Sequence, residues 1–199
     1  NRNLAQEAWG SQVTPGTQGV HINTTLASDD QRGIFIHGDV SRMDLSVVEG
    51  NAVMTVKQGP KDAEQRSVVT ILSEQGMTIP AGAQVNGVVQ GQQQYIDVKN
   101  TVIQKPDGPG GQKVFEVAPG LTNGLVYCTG TIQGLQGENK GRRTIAVDVE
   151  DKKDIVISGD LTRRDTVVGE KPTGSADTLG LIGNNIRIGS AAKRNQTET

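Results

Sequence analysis

Two residue types are scarce in this chain, and their scarcity limits its core and its covalent structure. Aromatic residues make up 3% of the 199 residues, so the hydrophobic core must be built from valine, isoleucine and leucine. Valine and isoleucine are typical of β-strands. The one cysteine, Cys128, excludes an internal disulfide bond. The composition therefore favours a β-rich domain with thin aliphatic layers.

Strong net charge and long apolar runs are also lacking. The formal net charge is -2, which excludes a polycationic protein that binds nucleic acid or a membrane surface through bulk charge. No apolar run of about 18 residues is present, so no transmembrane helix is predicted within the sequence. The chain starts at Asn1 and not at methionine, and we expect it to be a piece of a longer protein that supplies any anchor.

A short apolar phrase that ends in glycine, asparagine or a turn occurs four times. The four copies are residues 33–40, 124–132, 154–161 and 180–188. No helical pattern separates them. Short β-rich phrases that recur after turns are typical of a β-solenoid, in which each coil buries its apolar row on the next. The repeat therefore predicts an all-β fold, a β-solenoid with parallel, β-helix-like rungs.

The spacing of the copies predicts one domain with an insertion. The last three copies start 30 and 26 residues apart, which fits single solenoid coils, whereas the first two start 91 residues apart. We therefore expect an antiparallel hairpin region at about residues 47–115 inside a single β-solenoid domain that spans residues 33–190. Residues 1–32 are predicted to form a partly irregular lead-in, and residues 191–199 a polar tail.

Alternation within the phrases predicts the buried side chains. The expected core residues are Ile34, Ile36, Leu125, Tyr127, Ile155, Ile157, Leu181 and Ile186. Cys128 lies in the second copy, where a buried, unreactive thiol is the favoured interpretation. Only His21 and His37 could activate it, and both are distant in sequence.

A run of carboxylates in the second half of the chain is the best candidate for catalysis. Parallel β-helices include polysaccharide lyases and glycosidases, which use clustered carboxylates as acids, bases or calcium ligands. The candidates here are Asp148, Glu150, Asp151, Asp154 and Asp160. However, Gly-Asp recurs at 38/39 and at 159/160, and a residue that repeats with the coil favours a role in shaping the turn. We therefore assign no catalytic residue and predict that the chain is not an enzyme.

Metal and nucleotide sites are not indicated by the sequence. The two histidines have no cysteine partners, and no calcium loop of the Asp-x-Asp-x-Asp-Gly type is present. The glycines within residues 108–111 lack the Lys-Ser/Thr pair of a phosphate-binding loop. We predict neither a metal nor a cofactor.

Paired basic residues are the candidates for contact with nucleic acid or a surface. They are Arg142, Arg143, Lys152, Lys153, Arg163 and Arg164. Strands in neighbouring rungs lie about 4.8 Å apart, so side chains that repeat once per rung can form a stripe along a phosphate backbone. Acidic residues lie near each pair, and a solvent-exposed turn of mixed charge is the alternative interpretation.

These phrases resemble a β-solenoid domain found in accessory proteins of bacterial type IV pili, including large minor pilins. The resemblance rests on residues 33–40, 123–127 and 154–161. It is strongest in residues 177–188, which are similar to the closing rung of that family. The hydrophobic N-terminal helix of pilins is not part of this sequence.

The resemblance implies a non-enzymatic domain that is displayed on a type IV pilus or the cell surface and is anchored through a segment absent from this chain. It would act in adhesion, pilus assembly or DNA contact, with other pilus or cell-surface proteins and DNA as partners and without direct membrane contact. Two other functions stay open. One is a carbohydrate-active β-helix enzyme that uses the carboxylates within residues 148–160, and the other is a bactofilin-like cytoskeletal scaffold.

Overall fold

The protein is all-β in the part of the chain that the computed structural model describes. The described residues are 18–22, 33–72, 76–86, 88–97, 102–118, 124–163 and 177–189. They hold seventeen strands, numbered β1 to β17 along the chain, one 3₁₀ turn at Pro109–Gly111 and no α-helix. None of these residues belongs to a helix with the length and hydrophobicity that a bilayer span requires. The predicted all-β class is confirmed.

Four strand pairs repeat one arrangement, in which the first strand enters a five-stranded sheet and the second enters a ten-stranded sheet. Pair 1 consists of β2, Ile34–His37, and β3, Arg42–Val48. Pair 2 consists of β12, Leu125–Cys128, and β13, Ile132–Asn139. Pair 3 and pair 4 consist of β14, Arg142–Val147, with β15, Ile155–Arg163, and of β16, Thr178–Ile182, with β17, Ile186–Ile188.

The strands of the four pairs are parallel, and their register is continuous except between β13 and β15, where it shifts between Ile132 and Leu135 and again between Leu135 and Gly137. In the five-stranded sheet β12 lies between β2 and β14, and β16 follows β14. In the ten-stranded sheet β13 lies between β3 and β15, and β17 follows β15. Equivalent residues therefore form rows that run across each sheet. One such row is Ile34, Val126, Ile145 and Leu181. A second row is Val40, Ile132, Ile155 and Ile186.

Other strands cover the side of pair 1 that faces away from pair 2. β1, Gly19–Ile22, pairs antiparallel with β2 in the five-stranded sheet. β4, Asn51–Gln58, pairs antiparallel with β3 and then with β5, Gln65–Ile71. Pair 1 therefore has no open strand edge at this end among the described residues.

The segment between pair 1 and pair 2, called the insertion below, consists of β4 to β11. Its remaining strands are β6, Gly76–Ile79, β7, Gln84–Val85, β8, Val88–Val89, β9, Gln94–Asp97, β10, Val102–Gly108, and β11, Gln112–Val117. β10 and β11 form an antiparallel hairpin, and β6 pairs with β9 in a separate small sheet. β11 is parallel to β5, however, so the region predicted as antiparallel hairpins also contains a parallel pairing.

One hydrophobic cluster contains residues from both large sheets. Ile34 and Ile36 of the five-stranded sheet and Ile155 of the ten-stranded sheet are buried, as predicted. In β12 the predicted parity is wrong: Val126 and Cys128 are buried, whereas Leu125 and Tyr127 are half-buried. Four consecutive apolar residues show no alternation, so the sequence could not indicate which two face inward.

Three residues of pair 3 and pair 4 that were predicted to be in the core are less buried than expected. Ile157 and Leu181 are half-buried, and Ile186 is 48% exposed. β17 is the last strand of its sheet, so no further strand covers Ile186. The prediction that Ile186 is buried was wrong, because a side chain in such a row is fully covered only when strands lie on both sides of it.

The phrase at residues 154–161 is not equivalent to the other three phrases. It forms β15, a second strand, whereas the other phrases include the first strands β2, β12 and β16. Leu125 lies opposite Thr144, 19 residues later, and Thr144 lies opposite Gly180, 36 residues later. The interpretation of the 30- and 26-residue spacings as single coils was therefore wrong. The two strands of a pair are both aliphatic and look alike in sequence, so a second strand was taken for a first strand.

Pair 1 and pair 2 approach so closely at Gly130 that no side chain fits there. A Cβ atom at Gly130 would lie 2.4 Å from the nitrogen of Asp39 and 2.4 Å from the carbonyl carbon of Gly38. Both atoms belong to the backbone, so a side-chain rotation cannot relieve the overlap. Glycine at this position is required by the stacking of the two pairs.

We expect Gly130→Ala to lower the free energy of unfolding by about 3 kcal/mol, because the two turns must separate to admit a methyl group. Gly91→Ala is the matched control, since a Cβ atom at Gly91 meets no atom within 4 Å. The control should stay within about 0.5 kcal/mol of the wild type. Urea denaturation measures both, and equal stability of the two variants would contradict the close approach.

Candidate functional site

The predicted basic pairs lie on two edges of the stacked strand pairs. β13 ends at Asn139, which lies opposite Arg163 of β15, and β14 begins at Arg142. These residues share one edge, called the Arg142 edge below. Lys152 and Lys153 lie in the turn between β14 and β15, at the opposite ends of those strands. The basic pairs therefore do not form one continuous stripe.

The basic residues also differ in exposure. Arg142 and Lys152 are exposed, and Lys153 is half-buried. The side chain of Arg163 and the whole of Arg164 lie outside the described residues. Contact of the basic pairs with DNA or a surface stays a prediction, and Arg142 and Lys152 are the members with exposed charge.

Arg143 differs from its neighbour because it is buried, with 5% of its surface exposed. Strand alternation places it on the same face of β14 as Ile145 and Val147, which belong to the core. No hydrogen bond or ion pair joins its side chain to another described residue. Burial lowers the pKa of Arg143 to about 10, so the guanidinium is still charged at neutral pH. Arg143 is thus a buried charge without a described counter-ion.

An open cleft of about 450 Å³ lies on the Arg142 edge beside this residue. Arg142 and Arg143 line it together with Thr144 of β14 and Thr178 of β16. Two guanidinium groups and two hydroxyl groups are donors that suit a carboxylate or a phosphate group. The cleft therefore offers an anionic group four donor side chains.

The opposite edge, called the turn edge below, carries a ladder of polar side chains. It contains the turns within the four pairs, at residues 38–41, 129–131, 148–154 and 183–185. Each ladder bond runs from a backbone N–H group to a side-chain oxygen of the preceding pair. The bonds are Thr131 N to Asp39 Oδ1 at 2.8 Å, Asp154 N to Thr131 Oγ1 at 3.4 Å, and Asn185 N to Asp154 Oδ1 at 3.1 Å.

Backbone hydrogen bonds reinforce the ladder at the next residue of each turn. Val40 donates to the carbonyl oxygen of Thr131, Ile132 donates to that of Asp154, and Ile155 donates to that of Asn185. The polar ladder therefore lies directly beside the row of Val40, Ile132, Ile155 and Ile186. It holds each pair in register with the next.

This ladder was not predicted from the sequence, although the sequence contains a signal for it. In all four pairs a polar residue precedes a β-branched aliphatic residue: Asp39-Val40, Thr131-Ile132, Asp154-Ile155 and Asn185-Ile186. The predicted equivalence of the two Gly-Asp sequences was wrong. Asp160 is exposed within β15, and the residue equivalent to Asp39 in pair 3 is Asp154.

Two members of the carboxylate run, Asp148 and Asp154, have hydrogen-bond partners that belong to the turns of the fold. Asp148 Oδ1 accepts hydrogen bonds from the backbone N–H groups of Glu150 and Asp151, at 3.1 and 3.2 Å, and so shapes the turn. Burial, with a further contribution from the nearby Asp148, raises the pKa of Tyr127 to about 12. Among the described residues, no group of three or more histidine, cysteine or acidic side chains is arranged to hold a metal ion.

Asp154 is the most connected carboxylate on the turn edge. Besides the ladder bond, its Oδ1 accepts from the side-chain amides of Asn185 at 3.0 Å and Asn184 at 3.2 Å. Its Oδ2 lies 2.8 Å from a guanidinium nitrogen of Arg187. The bonds from Asn185 and Asn184, with a further contribution from Arg187, lower the pKa of Asp154 below its usual value. These contacts join pair 3 to pair 4.

Cys128 and His37 lie where pair 1 meets pair 2. The thiol of Cys128 is buried, as predicted, and donates to the carbonyl oxygen of Gly38 at 3.3 Å. Burial raises the pKa of Cys128 to about 12, so the thiol is protonated at neutral pH and is a poor nucleophile. His37 is half-buried at the end of β2, and its Nδ1 lies 3.4 Å from the hydroxyl of Thr129.

We expect the free energy of unfolding of Asp154→Asn to fall less steeply than that of the wild type as the pH is lowered into the acidic range. Because the pKa of Asp154 is lower in the folded state, its contribution to stability is present above the unfolded value of about 3.9. That contribution is lost as the pH falls through the folded pKa. Urea denaturation between neutral and acidic pH measures the difference, with Asp160→Asn, an exposed carboxylate on β15, as the matched control. Profiles of identical slope for wild type and Asp154→Asn would contradict the assignment.

Arg143→Met should raise the free energy of unfolding by about 1–3 kcal/mol, because a buried charge without a counter-ion is replaced by an apolar side chain of similar length. Arg142→Met is the matched control at an exposed position and should change stability by less than about 0.5 kcal/mol. Both are measured by urea denaturation in a buffer free of phosphate and sulfate. A marked loss of stability in Arg143→Met would show that the guanidinium has a partner in the folded protein.

Comparison of the chain with protein-family models, with curated proteins and with solved structures finds no match. The resemblance to accessory proteins of type IV pili therefore rests on the phrases quoted above. In the structure these phrases form parallel strand pairs, and a polar ladder on the turn edge joins one pair to the next.

Proposed function

We propose that this chain is a non-enzymatic display domain, a β-solenoid whose four strand pairs are its coils, carried by a pilus-associated or cell-surface protein. The observation that carries the proposal is the parallel pairing of successive strand pairs in both large sheets, with a continuous register in the five-stranded sheet. Stacking of this kind gives an elongated body whose neighbouring repeats support one another. Such a body suits the presentation of surfaces at a distance from an anchor.

The contacts of the carboxylates favour this role over acid–base catalysis. Asp39 and Asp154 accept backbone N–H groups of the next pair, and Asp148 accepts backbone N–H groups of its own turn. A carboxylate that is occupied by such bonds stabilises the fold through them. This supports the non-enzymatic function over the carbohydrate-active alternative.

The covered end of pair 1 favours a displayed domain over a cytoskeletal scaffold. A bactofilin-like filament needs coils of one copy to stack on coils of the next. Here β1 pairs with the outer edge of β2, and β4 pairs with the outer edge of β3. Head-to-tail stacking onto pair 1 would have to displace both strands.

The insertion supplies apolar surface for contact with other proteins. Val88, Val89 and Tyr95 are 64%, 63% and 73% exposed. Large apolar side chains that are exposed to this degree are candidates for contact with another protein. In the proposed function the insertion contacts a pilus or surface partner, and the exposed charges of Arg142 and Lys152 contribute contacts with anionic groups such as DNA phosphates.

Immunogold labelling of intact cells of the source organism tests the proposal. An antibody against residues 33–190 is expected to label pili or the cell surface without permeabilisation. The matched control is an antibody against a cytoplasmic protein, which should label only permeabilised cells. Labelling by the domain antibody that also requires permeabilisation would contradict display and would favour the cytoskeletal scaffold.

A further inference from the structure

Pair 4 ends both stacks with exposed isoleucines. Ile182 of β16 and Ile186 and Ile188 of β17 are 52%, 48% and 64% exposed. Their neighbours in pair 3 are better covered: Ala146 is 8% exposed and Ile155 is fully buried. Each isoleucine therefore ends a row that the next pair would normally cover. The described residues leave this end of the stack open, in contrast to the covered end at pair 1.

The backbone groups on the outer edge of β16 have no strand partner among the described residues. Thr178 N donates to the carbonyl oxygen of Gly141, at 3.1 Å, on the side of β14. Because N–H and C=O groups alternate between the two sides of a strand, those of Leu179 and Leu181 point away from β14. In the part of the chain that the structure describes, β16 is the last strand of its sheet, so these four groups face its outer edge.

β16 also lacks the features that usually protect an edge strand. Edge strands are commonly blocked by charged residues, by proline or by a bulge. The sequence of β16 is Thr-Leu-Gly-Leu-Ile, which has no charge and no proline, and its register with β14 is continuous from Thr178 to Ile182. The edge is thus open to pairing with another strand.

We propose that a second copy of this chain pairs with this edge, and that two β16 strands run antiparallel around a two-fold axis at Gly180. In this register Leu179 lies opposite Leu181 of the other copy, and their outward N–H and C=O groups form four hydrogen bonds. Gly180 lies opposite Gly180, in the closely spaced type of pair. Thr178 lies opposite Ile182, and both are on the exposed face. The strand is therefore complementary to itself.

The alternatives to a second copy bound at this end fit less well. A copy bound head-to-tail could not pair with β2 or β3, whose outer edges β1 and β4 cover. It would have to pair with β1, a strand of four residues at the end of the five-stranded sheet. Residues 190–199 follow β17 directly, but their only apolar side chains are Ala191 and Ala192, so they cannot supply an aliphatic strand. The symmetric, tail-to-tail pair uses only surfaces that this chain provides. It does not depend on the proposed function.

Charge substitutions at the ends of β16 test both the pairing and its register. Thr178→Lys/Ile182→Lys places like charges opposite each other at two positions of the pair, and we expect it to raise the dimer dissociation constant at least about tenfold. Thr178→Lys/Ile182→Glu is the matched variant, because it differs only at position 182 and places opposite charges across the axis. It should restore a dimer. Sedimentation equilibrium over a concentration series measures all three proteins, and circular dichroism confirms that each is folded.

The wild-type protein is expected to be a dimer whose fraction rises with concentration. A wild type that stays monomeric across the series would overturn the proposal. A dimer of unchanged affinity in Thr178→Lys/Ile182→Lys would exclude β16 as the interface. A monomer in both variants would overturn the register centred on Gly180. Because the assay uses purified protein, its outcome is separate from that of the labelling experiment on cells.

Discussion

The register between neighbouring strand pairs is the constraint on which the rest of the structure depends. It is set on the turn edge, where Asp39, Thr131 and Asp154 each accept a backbone N–H group of the next pair. A hydrogen bond of this kind contributes about 1 kcal/mol, so the ladder is a modest part of the total stability. Its larger effect is on specificity, because a shift by one residue would turn every buried isoleucine to the opposite face of its sheet.

The two ends of the stack differ, and the difference follows from how the chain continues. At pair 1 the strands on either side in sequence, β1 and the β4 of the insertion, fold back antiparallel and occupy both outer edges. Pair 4 ends both large stacks with β16 and β17 at the outer positions. Among the described residues, both strands of pair 4 therefore have an open outer edge, whereas the outer edges of both strands of pair 1 are paired. This favours a closed pair of copies over an extended filament.

The sequence predicted the all-β class and an aliphatic core, because β-branched residues and glycine-bounded phrases are direct signals of strands and turns. Of the predicted core residues, Ile34, Ile36 and Ile155 are buried. It did not predict which phrase belongs to which sheet. The phrase at residues 154–161 looks like a first strand but forms β15, since burial on a shared core gives both sheets the same aliphatic composition. The burial of Cys128 rather than Tyr127 was decided by packing across the two sheets, which a run of four apolar residues does not reveal.

The candidate site was predictable only in part. The basic pairs are visible in the sequence, but the distinction between exposed Arg142 and buried Arg143 depends on the alternation of β14. The ladder depends on equivalences between residues 23 to 92 positions apart, which no local pattern identifies. Once pairs are aligned by register, the polar residue before Val40, Ile132, Ile155 and Ile186 becomes a clear motif.

The most direct test of this account is a set of inter-strand nuclear Overhauser effects measured by NMR on the isotopically labelled protein. The account predicts amide-to-α-proton contacts typical of parallel pairing between Leu125 and Thr144 and their neighbours, and between Thr144 and Gly180 and theirs. It also predicts such contacts between Ile132 and Ile155 in the second sheet. Antiparallel contacts between these strands, or parallel contacts shifted by one residue, would contradict the stacked register and the ladder that depends on it.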